Sequence, residues 1–266
     1  MLRPDFVGTR NDKGNVRCRN DICGVGAQDV YRYAGSEDKM KLSVVIPVFN
    51  EEKTIKEIIG KVQAVGIDKE IIIVDDGSTD GTKKILQELK SDNIKVFFHE
   101  KNSGKGRALK TGFKQVRGDV VIIQDADLEY DPEEYKALLD PIITHDADVV
   151  YGSRLSGGRT VRAYMFWHKV GNAVLTFFTN FLYNTTITDM ETGYKVFKRE
   201  VTNDLDIKSR DFTVEAEITA KVFKKRYIVY EVPISYYGRS YSEGKKIRWY
   251  HAISAIWALI KYKFMD

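Results

Sequence analysis

Four short stretches hold the residues with the most chemistry to offer. "VIIQDADLEYDP" (residues 121–132) runs from a buried-strand pattern straight into Asp125, Asp127, Glu129 and Asp131, one carboxylate at every second position. If residues 124–129 stay extended, Asp125, Asp127 and Glu129 share one side, where they repel unless protonated or bound to a cation. Oxygen ligands of this kind suit Mg²⁺ or Mn²⁺, which commonly bridge to substrate phosphates. Asp131 with Pro132 reads instead as the cap of the next helix. "VDDGSTDGT" (74–82) pairs Asp75 with Asp76, and one acid there can bond a ribose hydroxyl or a base N–H; Ser78, Thr79 or Asp80 can cap the helix that follows. "KNSGKGRALKTGF" (101–113) places Gly104 and Gly106 around Lys105 at a helix start whose free N–H groups can hold a phosphate, although the stretch is not a P-loop. "IPVFNEE" (46–52) offers the Phe49 ring after Pro47, with Asn50 as a helix cap and Glu51 in the first turn.

The elements around these stretches must bring them together. Apolar, β-branched runs at 42–48, 70–74, 94–98 and 120–123 alternate with helical spacing at 51–65, 82–90 and 105–116. Strands apolar throughout, separated by helices, predict an α/β fold with a mostly parallel, Rossmann-like sheet covered on both faces. In such sheets ligands bind beyond the carboxyl ends of the strands, which is where all four stretches fall. After a strand at 149–151 the alternation weakens. A long helix (163–183), a turn, a helix (213–223), a strand (227–232) and a C-terminal helix (249–264) are expected.

With 266 residues the chain is long enough for a large core, and 42 cations against 38 anions gives no basic excess of the kind nucleic acid requires. Cys18 and Cys23 lack clustered His and make no zinc site. No run reaches the roughly 18 apolar residues of a spanning helix, and the N-terminus lacks an apolar signal core. A cytoplasmic chain is expected, with a membrane surface still open to it. Three segments follow: a polar extension (1–40), an α/β domain (41–235), and a basic loop with an amphipathic C-terminal helix (236–266).

In this order the four stretches resemble family 2 glycosyltransferases with the GT-A fold, over residues 41 to about 235. "VVYGSR" (149–154) and "ITDMETGYKVFKRE" (187–200) look like the polyprenyl-phosphate hexose synthase branch, which includes dolichyl-phosphate mannose and glucose synthases and undecaprenyl-phosphate relatives. The resemblance implies that Pro47, Phe49, Glu51 and Asp76 hold the nucleoside of a nucleotide-sugar donor and that Lys105 sits at its phosphates. Asp125 and Asp127 bind the divalent ion on the donor diphosphate, with Glu129, where relatives often have Gln, as third ligand. Arg154 meets the phosphate of a polyprenyl phosphate acceptor, and the loop containing Arg239 and Lys245 closes over both phosphates. The resemblance leaves the donor open between UDP-glucose and GDP-mannose types; "GKGRAL" is similar to the glucose synthases and leans towards a uridine donor.

Two features of the residues agree with a lipid-phosphate acceptor. Transfer to a sugar hydroxyl needs a carboxylate base. A phosphate monoester, with a second pKa near ~6, is already anionic and needs cations instead; Arg154, Arg159, Arg162 and Lys169 supply them. Apolar stripes at Phe166, Val170, Val174, Phe177, Phe178 and Phe181, and at Trp249, Ile253, Ile256, Trp257, Ile260 and Phe264, suit helices lying in a bilayer interface, here the cytoplasmic face. Without spanning helices the chain would be peripheral or held by a membrane-protein partner. Two alternatives stay open: a transferase extending a glycan with Asp189 or Glu191 as base, and a sugar nucleotidyltransferase.

Overall fold

The computed structural model describes residues 40–89, 91–163, 165–211, 213–239 and 251–265. Most of the polar extension, Cys18, Cys23, Lys245 and Trp249 lie outside the described residues. A seven-stranded sheet runs through the molecule in the order β3-β2-β1-β4-β6-β5-β7. Its strands are β1 (Leu42–Val48), β2 (Lys69–Asp75), β3 (Ile94–Phe98), β4 (Val120–Ile123), β5 (Val149–Ser153), β6 (Lys195–Lys198) and β7 (Val229–Pro233). β1 pairs in parallel with both β2 and β4, so the direction of winding reverses at β1 and opens a crevice at the carboxyl ends of these three strands.

Side chains alternate across the sheet into two cores. Val44 and Ile46 of β1 pack with Ile55, Leu86 and Leu138 from α1 (Ile55–Ala64), α2 (Thr82–Gln87) and α4 (Tyr135–Thr144). Val45 points the other way, into a core that also holds Leu109 of α3 (Lys105–Phe113), Val201 of α6 (Arg199–Asp204), Val214 of α7 (Val214–Lys224) and Leu259 of α8 (His251–Phe264). α5 (Phe166–Tyr183) packs beside α8, which also lies on α7. No helix among the described residues is long and apolar enough to cross a membrane.

The expected strands and helices are present, with ends shifted by a few residues. The region expected to hold only a turn, between α5 and α7, differs. It contains β6, which is antiparallel to both β4 and β5, followed by α6. Four residues with lysines at both ends give no strand signature, and the fully buried Lys195 breaks the apolar rule for a central strand. The antiparallel direction matters, because it brings the entrance to β6 to the same edge as the exits of β1, β2 and β4.

Candidate functional site

At that edge lies a cavity of about 680 Å³. Pro47, Phe49 and Glu51 after β1, Asp76 after β2, Lys105 on α3, Asp125, Asp127 and Glu129 after β4, Arg154 after β5 and Arg239 after β7 all line it. Lys169 is exposed and lies outside the lining. Arg162 also lies outside, donating from Nη1 to Gly238 O (2.8 Å), which ties the chain after β5 to the Arg239 segment.

The acidic stretch is a turn, not the extended segment expected, because Leu128 adopts a left-handed φ of 62°. Buried Ala126 and Tyr130 anchor the turn while its three acids face the cavity. Burial, and then the negative charges of Glu129 and Asp125, push the Asp127 carboxyl up to about 7. Arg239 answers this crowding: its guanidinium reaches Asp127 Oδ2 (3.0 Å) and Glu51 Oε2 and Oε1 (3.1 and 3.2 Å). Glu129 accepts from the Arg239 backbone N–H (2.7 Å) and from the Tyr236 hydroxyl (2.6 Å), so it clasps the segment after β7. No group of three acidic, His or Cys side chains among the described residues is gathered for metal ligation. The donor set nevertheless fits a hard divalent cation: Asp127 and Glu129 crowd around the Arg239 guanidinium and Asp125 faces the Lys105 ammonium, so the three carboxylates are held by cations that such an ion can displace.

Around the loops after β1, β2 and β3 the structure corrects one expectation and narrows another. Asn50, with φ 52°, does not cap α1; its Oδ1 accepts from Thr79 N–H (2.8 Å), stapling the loop after β1 to the loop after β2. Two N–H groups at the start of α3 are already taken. Gly104 N–H donates to Asp76 Oδ2 (2.6 Å) and Gly106 N–H to Arg210 O (3.0 Å). Close approach of the 209–210 backbone explains both glycines: a Cβ on Gly104 would come 2.0 Å from Arg210 O, and one on Gly106 2.1 Å from Ser209 O. Asp76 also accepts from Ser103 N–H, and its Oδ1 lies 2.6 Å from His99 Nδ1. Fully buried Asp75 has two carboxylate oxygens with no hydrogen-bond partner.

Lys105 turns its ammonium to the cavity floor, 2.7 Å from Asp125 Oδ1 and 3.1 Å from Glu215 Oε1. Burial works against its charge, but Asp125 and Glu215 outweigh it and raise the Lys105 pKa. Glu215 in turn pairs with buried Lys195 (2.6 Å), giving an alternating chain from Asp125 through Lys105 and Glu215 to Lys195. Burial opposes ionisation of Glu215, yet Lys195 and then Lys105 hold its carboxyl below the usual range.

On the opposite wall, Arg154 Nε and Nη2 donate to Asp189 Oδ2 (2.6 Å) and Oδ1 (2.7 Å), and its guanidinium stacks 5.0 Å from the centre of the Tyr236 ring. Asn172 gives Asp189 a further bond (2.7 Å). Despite full burial, Arg154 keeps the Asp189 carboxyl ionised and below its ordinary pKa, so Asp189 is a poor base. Glu191 is different: burial and then Glu215 push it up to about 7.

Glu215, Asn172 and Tyr236, which line the cavity, and His99 and Lys195, which pair with lining carboxylates, went unrecognised in the sequence. Glu215 and Asn172 lie in segments that read as ordinary helix, Tyr236 in the basic loop, His99 just past a strand and Lys195 where only a turn was expected, and only the folded chain gathers them.

The sequence model of glycosyl transferase family 2 matches residues 43–206. The chain is 35% identical over 210 residues to the low-salt glycan biosynthesis hexosyltransferase of Haloferax volcanii, covering 77% of this chain and 50% of that protein, so it spans about half that relative's length. It is 34% identical over 229 residues to the UDP-N-acetylglucosamine–dolichyl-phosphate N-acetylglucosaminyltransferase of Methanococcus voltae, covering 78% of this chain and 90% of the relative. To the polyprenol monophosphomannose synthase of Mycolicibacterium smegmatis it is 32% identical over 211 residues, or 76% and 79% of the two chains. Among solved structures, glucosyl-3-phosphoglycerate synthase from Mycobacterium tuberculosis, in complex with Mn²⁺, UDP and phosphoglyceric acid, superposes with a TM-score of 0.66 at 21% identity, over 85% of this chain and 80% of the other.

Proposed function

Since the chain belongs to glycosyl transferase family 2, we propose that it moves a hexose-type sugar, with inversion, from a nucleotide-sugar to a polyprenyl phosphate at a membrane surface. The observation that supports this most directly is the Arg154–Asp189 pair. It fixes a cation in the cavity wall for an anionic acceptor, and it takes Asp189, one of the two carboxylates that a sugar acceptor could use as base, out of use. The acceptors named for the Methanococcus and Mycolicibacterium relatives agree with this choice.

In this reading Pro47, Phe49, Glu51 and Asp76 receive the nucleoside, and Lys105 and Asp125 lie at the diphosphate. Asp125 and Asp127, with Glu129 beside them, would hold Mg²⁺ or Mn²⁺; the structural neighbour glucosyl-3-phosphoglycerate synthase was itself crystallised with Mn²⁺ or Mg²⁺ and UDP. The bound ion supplies charge neutralisation on the departing diphosphate. Arg154 orients the acceptor phosphate, whose oxygen attacks the anomeric carbon from the face opposite the leaving group and, already ionised, needs no base. Tyr236 and Arg239 close the cavity from above and exclude water from the glycosyl carbon. In this reading the protein sits peripherally on the cytoplasmic face of the membrane that carries the lipid, and the exposed aromatic faces of α5 and α8 support that position.

The test is a panel of UDP-glucose, UDP-N-acetylglucosamine and GDP-mannose against one short-chain polyprenyl phosphate, with Mg²⁺ or Mn²⁺. Transfer to the lipid phosphate and none to free sugars is expected. Transfer to free sugars alone would sink the reading.

A further inference from the structure

Resting on that reading, we propose that Glu191 recognises a hydroxyl or amide N–H of the sugar being transferred, as a specificity residue and not as a general base. The turn from Asp189 to Gly193 spans the cavity from one reacting partner to the other. At its start Asp189 grips Arg154 on the acceptor wall. At its end Gly193 presses against the donor floor, so closely that a Cβ there would come 2.3 Å from Asp125 Oδ2 and 3.2 Å from Lys105 Nζ. Glu191 lies midway and lines the same cavity. A sugar passing from a diphosphate at Lys105 to a phosphate at Arg154 must occupy the space between them, and Glu191 is among the side chains that line it.

Glu191 also has an unfilled hydrogen-bonding capacity of the right sign. Its Oε1 is buried with no partner. The nearby cations are committed elsewhere: Arg154 to Asp189, and Lys195 to Glu215 and the carbonyls of Met190 and Thr192. A buried acceptor without a donor is rare in a folded protein and calls for one. Among the groups that enter this cavity, the phosphates bring only acceptors, whereas a sugar brings several hydroxyl donors and, in an N-acetylated sugar, an amide N–H. A pocket built to pair with a substrate donor discriminates strongly against analogues that lack it, because its own polar atom is then left unmade.

The experiment is calorimetric titration of the full chain in Mn²⁺ with UDP-glucose, UDP-N-acetylglucosamine, GDP-mannose and the bare diphosphates UDP and GDP. It is followed by kcat/KM for each sugar. For the nucleotide-sugar that the wild type prefers, Glu191→Ala is expected to weaken binding about 10- to 100-fold and to flatten the preference among sugars. Binding of the bare diphosphate stays within about twofold, which also reports that the variant is folded. Glu191→Gln, whose amide oxygen still accepts, is expected to recover most of the loss. Equal losses for the sugar and the bare diphosphate would make Glu191 structural and overturn the inference. So would a Glu191→Gln variant that binds normally but cannot turn over, the mark of a base. A wild type that binds bare diphosphates but no nucleotide-sugar would overturn the transferase reading and this inference together; selective sugar binding untouched by Glu191→Ala overturns this inference alone.

Discussion

Asp189 and Glu191, two residues apart on one turn, are buried carboxyls with opposite fates. Asp189 receives two guanidinium bonds from Arg154 and one from Asn172, which offset the cost of its burial. Removing Arg154 strands that charge, and Arg154→Ala is expected to lower stability by about 3–5 kcal/mol, the usual cost of breaking a buried pair from one side. Urea unfolding of the variant measures this; a loss under about 1 kcal/mol would mean that water reaches Asp189. Glu191 has no such partner, and its pKa rises from 4.5 to about 7. The folded chain therefore holds a proton that the unfolded chain releases between these two values. The stability this contributes is fully present below about pH 4.5 and is lost as pH rises through about 7, beyond which the buried charge is a penalty. Glu191→Gln is thus expected to be more stable than the wild type at pH 8, by up to about 3 kcal/mol, and to match it near pH 4.5. Urea midpoints at the two pH values check the sign, and an equal difference at both would contradict it. A site acceptor that destabilises the empty protein is what ligand recognition by Glu191 entails.

At the scale of elements, the segment after β7 and the turn after β4 are locked to each other. Glu129 holds Tyr236 and the Arg239 backbone, while the Arg239 guanidinium sits among Glu51, Asp127 and Glu129. A divalent ion at Asp125 and Asp127 must compete with that guanidinium at Asp127 and with the Lys105 ammonium at Asp125. Arg239→Ala is therefore expected to bind Mn²⁺ more tightly than the wild type when no donor is present, by several-fold or more, since a charged competitor is gone. It should also turn over more slowly, because the closing cation is missing. Equilibrium dialysis or Mn²⁺ electron paramagnetic resonance reads the affinity directly, and weaker Mn²⁺ binding would show that Arg239 supports the ion site. This coupling was not legible in the sequence, although its parts were. Apolar strand runs gave the order of β1 to β4 and put the four loops at one edge, because strand patterning is local. What was missed depends on contacts distant in sequence: Asn50 with Thr79, Gly104 with Arg210, Lys195 with Glu215, and Glu129 with Tyr236. β6 was missed for the same reason, since a four-residue strand with a buried lysine makes sense only once Glu215 is opposite it.

Over the whole molecule, α5 and α8 join the cavity to the surface. Asn172 and Leu175 of α5 and Ala252 of α8 line the cavity, while Phe177 and Phe181 of α5 and Trp257 and Phe264 of α8 stand between 65% and 76% exposed. So much aromatic surface on one helix pair exceeds the scattered apolar residues of an ordinary surface and marks an interaction face. Exposed Lys169 on α5 and half-buried Lys261 on α8 add positive charge to the pair, which suits a bilayer with anionic headgroups. Each ring sunk into the headgroup–acyl boundary contributes about 1–2 kcal/mol, so removing two is expected to cut partitioning by tenfold or more. The double substitution Phe177→Ser with Trp257→Ser tests this in a vesicle sedimentation assay with anionic lipid. Neither residue lines the cavity, so UDP and GDP affinity should be unchanged and transfer to a short-chain, water-dispersed polyprenyl phosphate retained. Transfer to a long-chain acceptor embedded in vesicles should fall with the partitioning. If the double variant sediments like the wild type, the aromatic face serves some other partner. If it loses activity on the dispersed acceptor as well, α5 and α8 act through the shape of the cavity and not through the membrane.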